Sequence, residues 1–191
     1  MKKIFAILVA ALLVGGAAAA QEKTEKKKKG SAVESVSKFF RKMKDGFVST
    51  ADAILSKDEA KLKLIDGTYY MPLCGGDQYS AADGDGYRKM CRKQFVAKYP
   101  DVQIVSCAIP QDDWDRQTIE EDGKVTGYVN TLNCYILAKD GSDGYINAKF
   151  VFVRTKEVGK AYQNDKANWG RWVRTDIMNN EVYAELLKKS K

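Results

Sequence analysis

The chain has 191 residues, 45% hydrophobic and 30% charged, with 10 Tyr, 7 Phe and 3 Trp. That composition excludes a disordered or fibrous chain, and one domain is the default at this length. There is no His, which removes Ser-His-Asp and Cys-His catalysis, His-ligated catalytic zinc and imidazole switches.

Met1-Lys2-Lys3 is a short cationic start, followed by the apolar run Ile4–Val14 and small residues ending in Ala18-Ala19-Ala20 before Gln21. This is the pattern of a secretory signal, with Ala18 and Ala20 supplying A-x-A spacing for cleavage after Ala20. The apolar run falls short of the roughly 20 residues of a membrane span. Residues 1–20 are therefore expected to be a signal peptide and the protein periplasmic or secreted, with no transmembrane segment in the mature chain. The paired Lys of the short signal fit a bacterial source.

The formal charge of +7 is unevenly spread. Gln21–Ile65 holds 12 Lys and Arg against 7 Asp and Glu, whereas residues 66–191 hold 18 of each. The excess sits mostly in Lys23 and Lys26–Lys29, in a basic linker over 21–30. A neutral body argues against dedicated nucleic-acid binding. The tail itself serves either as a solvated spacer or as a tether to anionic polymer or a membrane surface.

Residues 31–191 are expected to form a single α+β domain. Ser31 and Glu34 make a capping box for a helix over Ala32–Asp45. Thr50–Leu55 either extends it or starts a new turn, and Ser56–Glu59 is a second capping box. Residues 56–65 can be read as helix or strand: Lys61–Leu64 alternates like a strand, and Asp66-Gly67 either ends a helix or, the favoured reading, makes a two-residue hairpin turn into Thr68–Met71. Cys74–Gly86 reads as loop. Tyr87, Met90, Cys91, Phe95 and Val96 share one helix face, ended by Tyr99-Pro100. Val102–Ile109 is a strand, Gln111–Asp122 a polar loop, and Val125–Leu137, Tyr145–Val153 and Trp169–Arg174 are further strands, with Asp140–Gly144 a turn. Met178–Lys189 closes as a helix with Val182, Leu186 and Tyr183 inward. The sum is N-terminal helices packed on a curved antiparallel sheet of about four to six strands, with a C-terminal helix.

That order of elements resembles the cone-shaped folds of the nuclear-transport-factor type, by topology alone. Val105–Pro110, Trp114, Asn133–Ala148 and Lys156–Gly159 resemble small secreted proteins of unassigned function in gut Bacteroidales. The resemblance implies export and a compact domain, and it brings no activity with it.

Four cysteines, Cys74, Cys91, Cys107 and Cys134, in an exported chain favour disulfides over catalysis or zinc, since no C-x-x-C occurs. If Val102–Ile109 and Val125–Leu137 are antiparallel neighbours, placing Cys107 opposite Cys134 sets Ile104 against Leu137 and Ile109 against Leu132. Such a bridge implies roughly 3 kcal/mol in the loop-entropy model. Cys74 and Cys91 then pair loop to helix or stay reduced.

For carboxylate chemistry the candidates are Asp113 and Glu121, in the acidic loop Asp112–Asp122, as the pair of a glycan hydrolase. The same loop oxygens, or Asp77, Asp83 and Asp85, resemble fragments of a calcium loop without its closing Glu. Trp169 and Trp172 should face opposite sides of a strand, so that they form no joint platform. Tyr69, Tyr70, Tyr87, Trp114 and Trp172 are the candidate binding residues. No nucleotide loop and no metal spacing occurs, so no cofactor is expected. The leading functional reading is a non-enzymatic binding module for a protein or glycan of the cell envelope or host surface. Glycan hydrolysis is the alternative, and polymer binding through the basic tail is the third.

Overall fold

The computed structural model describes residues 61–74 and 76–189. The expected signal peptide, the basic linker, the helix over Ala32–Asp45, Thr50–Leu55 and the Ser56–Glu59 capping box lie outside the described residues. What is described is an α+β arrangement of seven strands in antiparallel sheets and two helices.

The first element is the expected hairpin. Strands β1 (Lys63–Ile65) and β2 (Thr68–Tyr70) pair through Asp66-Gly67, whose φ values of 48° and 76° match the type I′ turn that an Asp-Gly pair favours. Helix α1 (Gly84–Lys98) follows, with Tyr87, Cys91 and Phe95 buried at four-residue spacing. It begins inside the segment expected to be loop. Val96 is 42% exposed rather than inward, because it sits one residue off the Tyr87–Cys91–Phe95 stripe. The expected stop at Tyr99-Pro100 holds, with the Tyr99 N–H donating to the Phe95 carbonyl at 2.9 Å.

Five strands form the main sheet. These are β3 (Gln103–Ala108), β4 (Asp115–Glu121), β5 (Lys124–Asp140), β6 (Gly144–Glu157) and β7 (Gln163–Met178). The order is β3-β5-β6-β7, and β4 also pairs with β5. Strand β5 is long enough to take β3 along its C-terminal half and β4 along its N-terminal half, on the same edge. The stretch expected to be a polar loop is thus mostly strand. Its polar composition is overridden by pairing with β5, and the hairpin is signalled by Asp122-Gly123, at φ 51° and 72°. The turn at Asp140–Gly144 is where it was expected.

Ile136, Ala138, Ile146, Ala148, Phe150 and Phe152 point to α1 and close the larger core around Phe95 and Cys91. A smaller cluster joins Ile65 of the hairpin to Met178 and to Val182 and Leu186 of the C-terminal helix α2 (Asn180–Lys189). Tyr183 is half-buried and stacks on Tyr145 at 3.7 Å. No helix among the described residues is long and apolar enough to cross a membrane.

Two irregularities change which residues meet. The first is in β7, where Gly170 adopts φ +69° and the register slips, so that Trp169 pairs with Phe152 and Trp172 with Phe150. Both indoles therefore lie on the core face, correcting the expectation of opposite faces; a bulge breaks the strict alternation that argument assumed. The second is in β3, where a shift between Ile104 and Ser106 sets Ile104 against Ala138 and Cys107 against Ile136. The strands are antiparallel neighbours as expected, but Cys107 is diagonal to Cys134 rather than opposite it. Their Sγ atoms are 3.7 Å apart, and all four cysteines are free thiols.

Candidate functional site

Successive residues of a strand alternate faces, so residues two apart share one. On the α1 side of the sheet, beyond the end of the apolar core, this rule sets out a second kind of surface. Strand β4 contributes Arg116, β5 contributes Tyr128 and Asn130, and β6 contributes Arg154 and Lys156. The register places Asn130 between Arg116 and Arg154, and Tyr128 opposite Lys156. Trp114, just before β4, and Tyr162, just before β7, complete the group.

Cations and rings alternate across this surface. The Arg116 guanidinium lies 5.8 Å from the Tyr128 ring centre, and the Lys156 ammonium lies 5.2 Å from Tyr128 and 4.8 Å from Tyr162. Arg154 is 4.8 Å from Tyr162 and 4.0 Å from Trp114. Each such contact stabilises by about 0.5–2 kcal/mol depending on desolvation. Tyr162 donates its hydroxyl to Asn130 Oδ1 at 3.0 Å, and Asn130 itself is 1% exposed. Trp114 is in turn held from behind. Its ring stacks on Trp169 at 6.0 Å, Tyr87 meets both indoles edge-on, and its Nε1–H donates to the Tyr79 hydroxyl at 3.0 Å.

Asp83 accepts the hydroxyls of Tyr79 (3.0 Å) and Tyr87 (2.6 Å). Burial first, and then the Asp83 carboxylate, push both phenols above their ordinary ionisation range, against the opposing pull of Arg154. They act as neutral hydrogen-bond donors rather than as bases or nucleophiles.

No carboxylate lies within ion-pair distance of Arg116, Arg154 or Lys156 among the described residues, whereas neighbouring acids are engaged elsewhere. Glu157 pairs with Lys160, Asp165 accepts from Asn168 Nδ2 at 2.6 Å, and Asp115 accepts from Gln111 Nε2 at 2.6 Å. The Arg154 Nε is buried without a hydrogen-bond acceptor.

Of the candidate binding residues, Tyr87 and Trp114 come together beneath this surface. The other three lie elsewhere. Tyr69 is 58% exposed on β2, Tyr70 packs in the smaller cluster, and Trp172 packs on Phe95, Tyr99 and Phe150. Asp113 and Glu121 are not brought together. Asp113 accepts the Trp114 N–H at 2.7 Å, and Glu121 lies at the far end of β4, opposite Lys124. The intervening strand spans about 20 Å, against the 5–9.5 Å that a glycosidase pair requires. Asp77, Asp83 and Asp85 anchor the loop to α1. Asp77 and Asp85 pair with Arg88 at 2.8 Å and 3.0 Å, and Asp83 holds the two tyrosines. No group of three or more Cys, Asp or Glu side chains among the described residues is placed to hold a metal ion.

Sequence reasoning passed over Arg116, Tyr128, Asn130, Arg154, Lys156 and Tyr162. Their signal was the period-two pairs Trp114/Arg116, Tyr128/Asn130 and Arg154/Lys156, which mean little until the register unites them. Comparison with protein-family models, curated proteins and solved structures finds no match.

Proposed function

We propose that this chain is an exported bacterial domain, periplasmic or secreted, that acts as a non-enzymatic binding module for a protein or glycan of the cell envelope or host surface. The cation–aromatic surface of Arg116, Tyr128, Arg154, Lys156 and Tyr162 is its contact site. The export half of the proposal is supported by the charged, apolar and small-residue order of Met1–Gln21. The binding half is carried by one observation: three cations share one face with aromatic rings and have no carboxylate partner among the described residues. The ring contacts stabilise each cation, but the like charges gathered there repel one another, and a ligand that supplies the missing negative groups turns the arrangement into affinity and orientation. The separation of Asp113 from Glu121 counts against the hydrolase alternative.

The test is a screen of the exported chain against a glycan array and against envelope extract by affinity capture, in parallel with Arg116→Gln/Lys156→Gln. Binding that the double variant abolishes supports the proposal. Release of reducing sugar, or capture indifferent to these substitutions, overturns it.

A further inference from the structure

Resting on the binding reading above, we infer that the ligand is an acidic glycan, a saccharide carrying carboxylate or sulfate groups, with Arg154 receiving one of those groups. The Arg154 guanidinium lies against the Trp114 and Tyr162 rings, and among the described residues its buried Nε has no acceptor. The side chain as a whole is only half-buried, which leaves its terminal amines for a ligand. A guanidinium presents its donors in a planar fork that matches the oxygens of a carboxylate or sulfate. The rings hold the fork still, so little side-chain freedom is lost when the anion arrives.

The surroundings narrow the class of ligand. Lys156 lies two residues along the same face, about 7 Å away by strand geometry, so a second acidic group on the same chain of sugars has its own cation. The half-buried Tyr128 phenol, and the Tyr162 hydroxyl oxygen as an acceptor, suit hydroxyl groups between those charges, while the buried Asn130 holds Tyr162 in place. A neutral glycan leaves the three cations uncompensated. A single-stranded nucleic acid needs open ring faces for its bases, and here the rings are engaged by Arg116, Lys156 and Arg154. The body from residue 66 onward is also neutral overall, which suits a local anion site better than a track for a polyphosphate.

The experiment titrates the exported chain with oligogalacturonate (carboxylate only), a heparin oligosaccharide (sulfate and carboxylate), a neutral dextran oligomer, oligo-dT and a polyglutamate peptide, following tryptophan fluorescence and heat. A full-length variant with Lys26–Lys29 replaced by Gln removes the contribution of the basic tail. At least one acidic saccharide should bind both chains. Arg154→Gln should weaken it at least tenfold, and Arg154→Lys should not restore it, since an ammonium lacks the fork. Lys156→Gln, at a half-buried position where only the contacts to the Tyr128 and Tyr162 rings are lost, gives a second reading if Arg154→Gln does not fold, and should weaken binding several-fold. Three results overturn the inference: dextran binding as tightly as the acidic sugars, oligo-dT or polyglutamate binding where they do not, or loss of acidic-sugar binding with the tail lysines. In the first two cases sensitivity to Lys156→Gln leaves the binding-module reading standing. If no array glycan and no envelope protein binds, both fall.

Discussion

The bulge at Gly170 offers a sharp perturbation, because its register shift brings Trp169 onto the core face that Trp172 shares. At φ +69° an L side chain costs about 1–2 kcal/mol. The added methyl of Gly170→Ala would also meet Met90 Sδ at 2.9 Å, Gln94 Nε2 at 3.2 Å and Phe152 Cε1 at 3.4 Å. The Met90 thioether is flexible and gives way, but Gln94 must keep its 2.9 Å bond to the Gly170 carbonyl, so crowding adds about 1 kcal/mol at the low end of overpacking costs. The total of about 2–3 kcal/mol corresponds to a fall in Tm of about 4–12 °C for a chain of this length. Urea unfolding followed by tryptophan fluorescence and far-UV circular dichroism gives the free energy. Gly86→Ala is the control. That glycine lies in α1, where an added methyl group would meet nothing within 4 Å, so alanine should stabilise by about 0.5–1 kcal/mol. If Gly170→Ala stays within about 1 kcal/mol of the parent protein, the backbone there is not left-handed and the placement of both indoles on one face is wrong.

The thiols offer a second check. Cys107 and Cys134, with sulfurs 3.7 Å apart, should be cross-linked in protein purified from an oxidising compartment, the two electrons passing to a thiol oxidase. Non-reduced peptide mass spectrometry checks this, and a Cys74–Cys107 or Cys91–Cys134 peptide in its place would contradict it. Tyr79 and Tyr87 should ionise after the exposed tyrosines in an ultraviolet alkaline titration, and Asp83→Asn should lower both midpoints without normalising them, because burial remains. Since these folded-state values lie above the unfolded one, their contribution to stability is complete below about pH 10 and declines as the pH rises beyond it, which alkaline urea titrations would show as a falling midpoint.

Local chemistry was the legible part of this fold. The Asp66-Gly67 turn, the Tyr87–Cys91–Phe95 stripe and the Asp140–Gly144 turn each follow from a few adjacent residues. Strand β4 was hidden because Asp115, Arg116, Gln117, Glu120 and Glu121 are polar on both faces, so only its partner β5 reveals it. The bulges at Gly170 and after Ile104 move whole registers, and no periodicity announces where a strand will slip. The site was illegible for the same reason. Trp114 and Tyr87 stood out as aromatic residues near polar loops, whereas Arg116, Arg154 and Lys156 look like ordinary strand cations until three strands align them.

The central claim is that Arg154 is the receiving group of a binding surface, and its own resonance tests that claim most directly. The Arg154 Nε–H is buried and has no acceptor, so it should exchange slowly with solvent and give a distinct ¹⁵N–¹H signal, assigned by its loss in Arg154→Lys. Titration with the oligogalacturonate should move that signal saturably, together with the Trp114 indole, at the same midpoint as the calorimetric binding. A titration that shifts backbone signals of Lys23 and Lys26–Lys29 while Arg154 and Trp114 stay still would contradict the account.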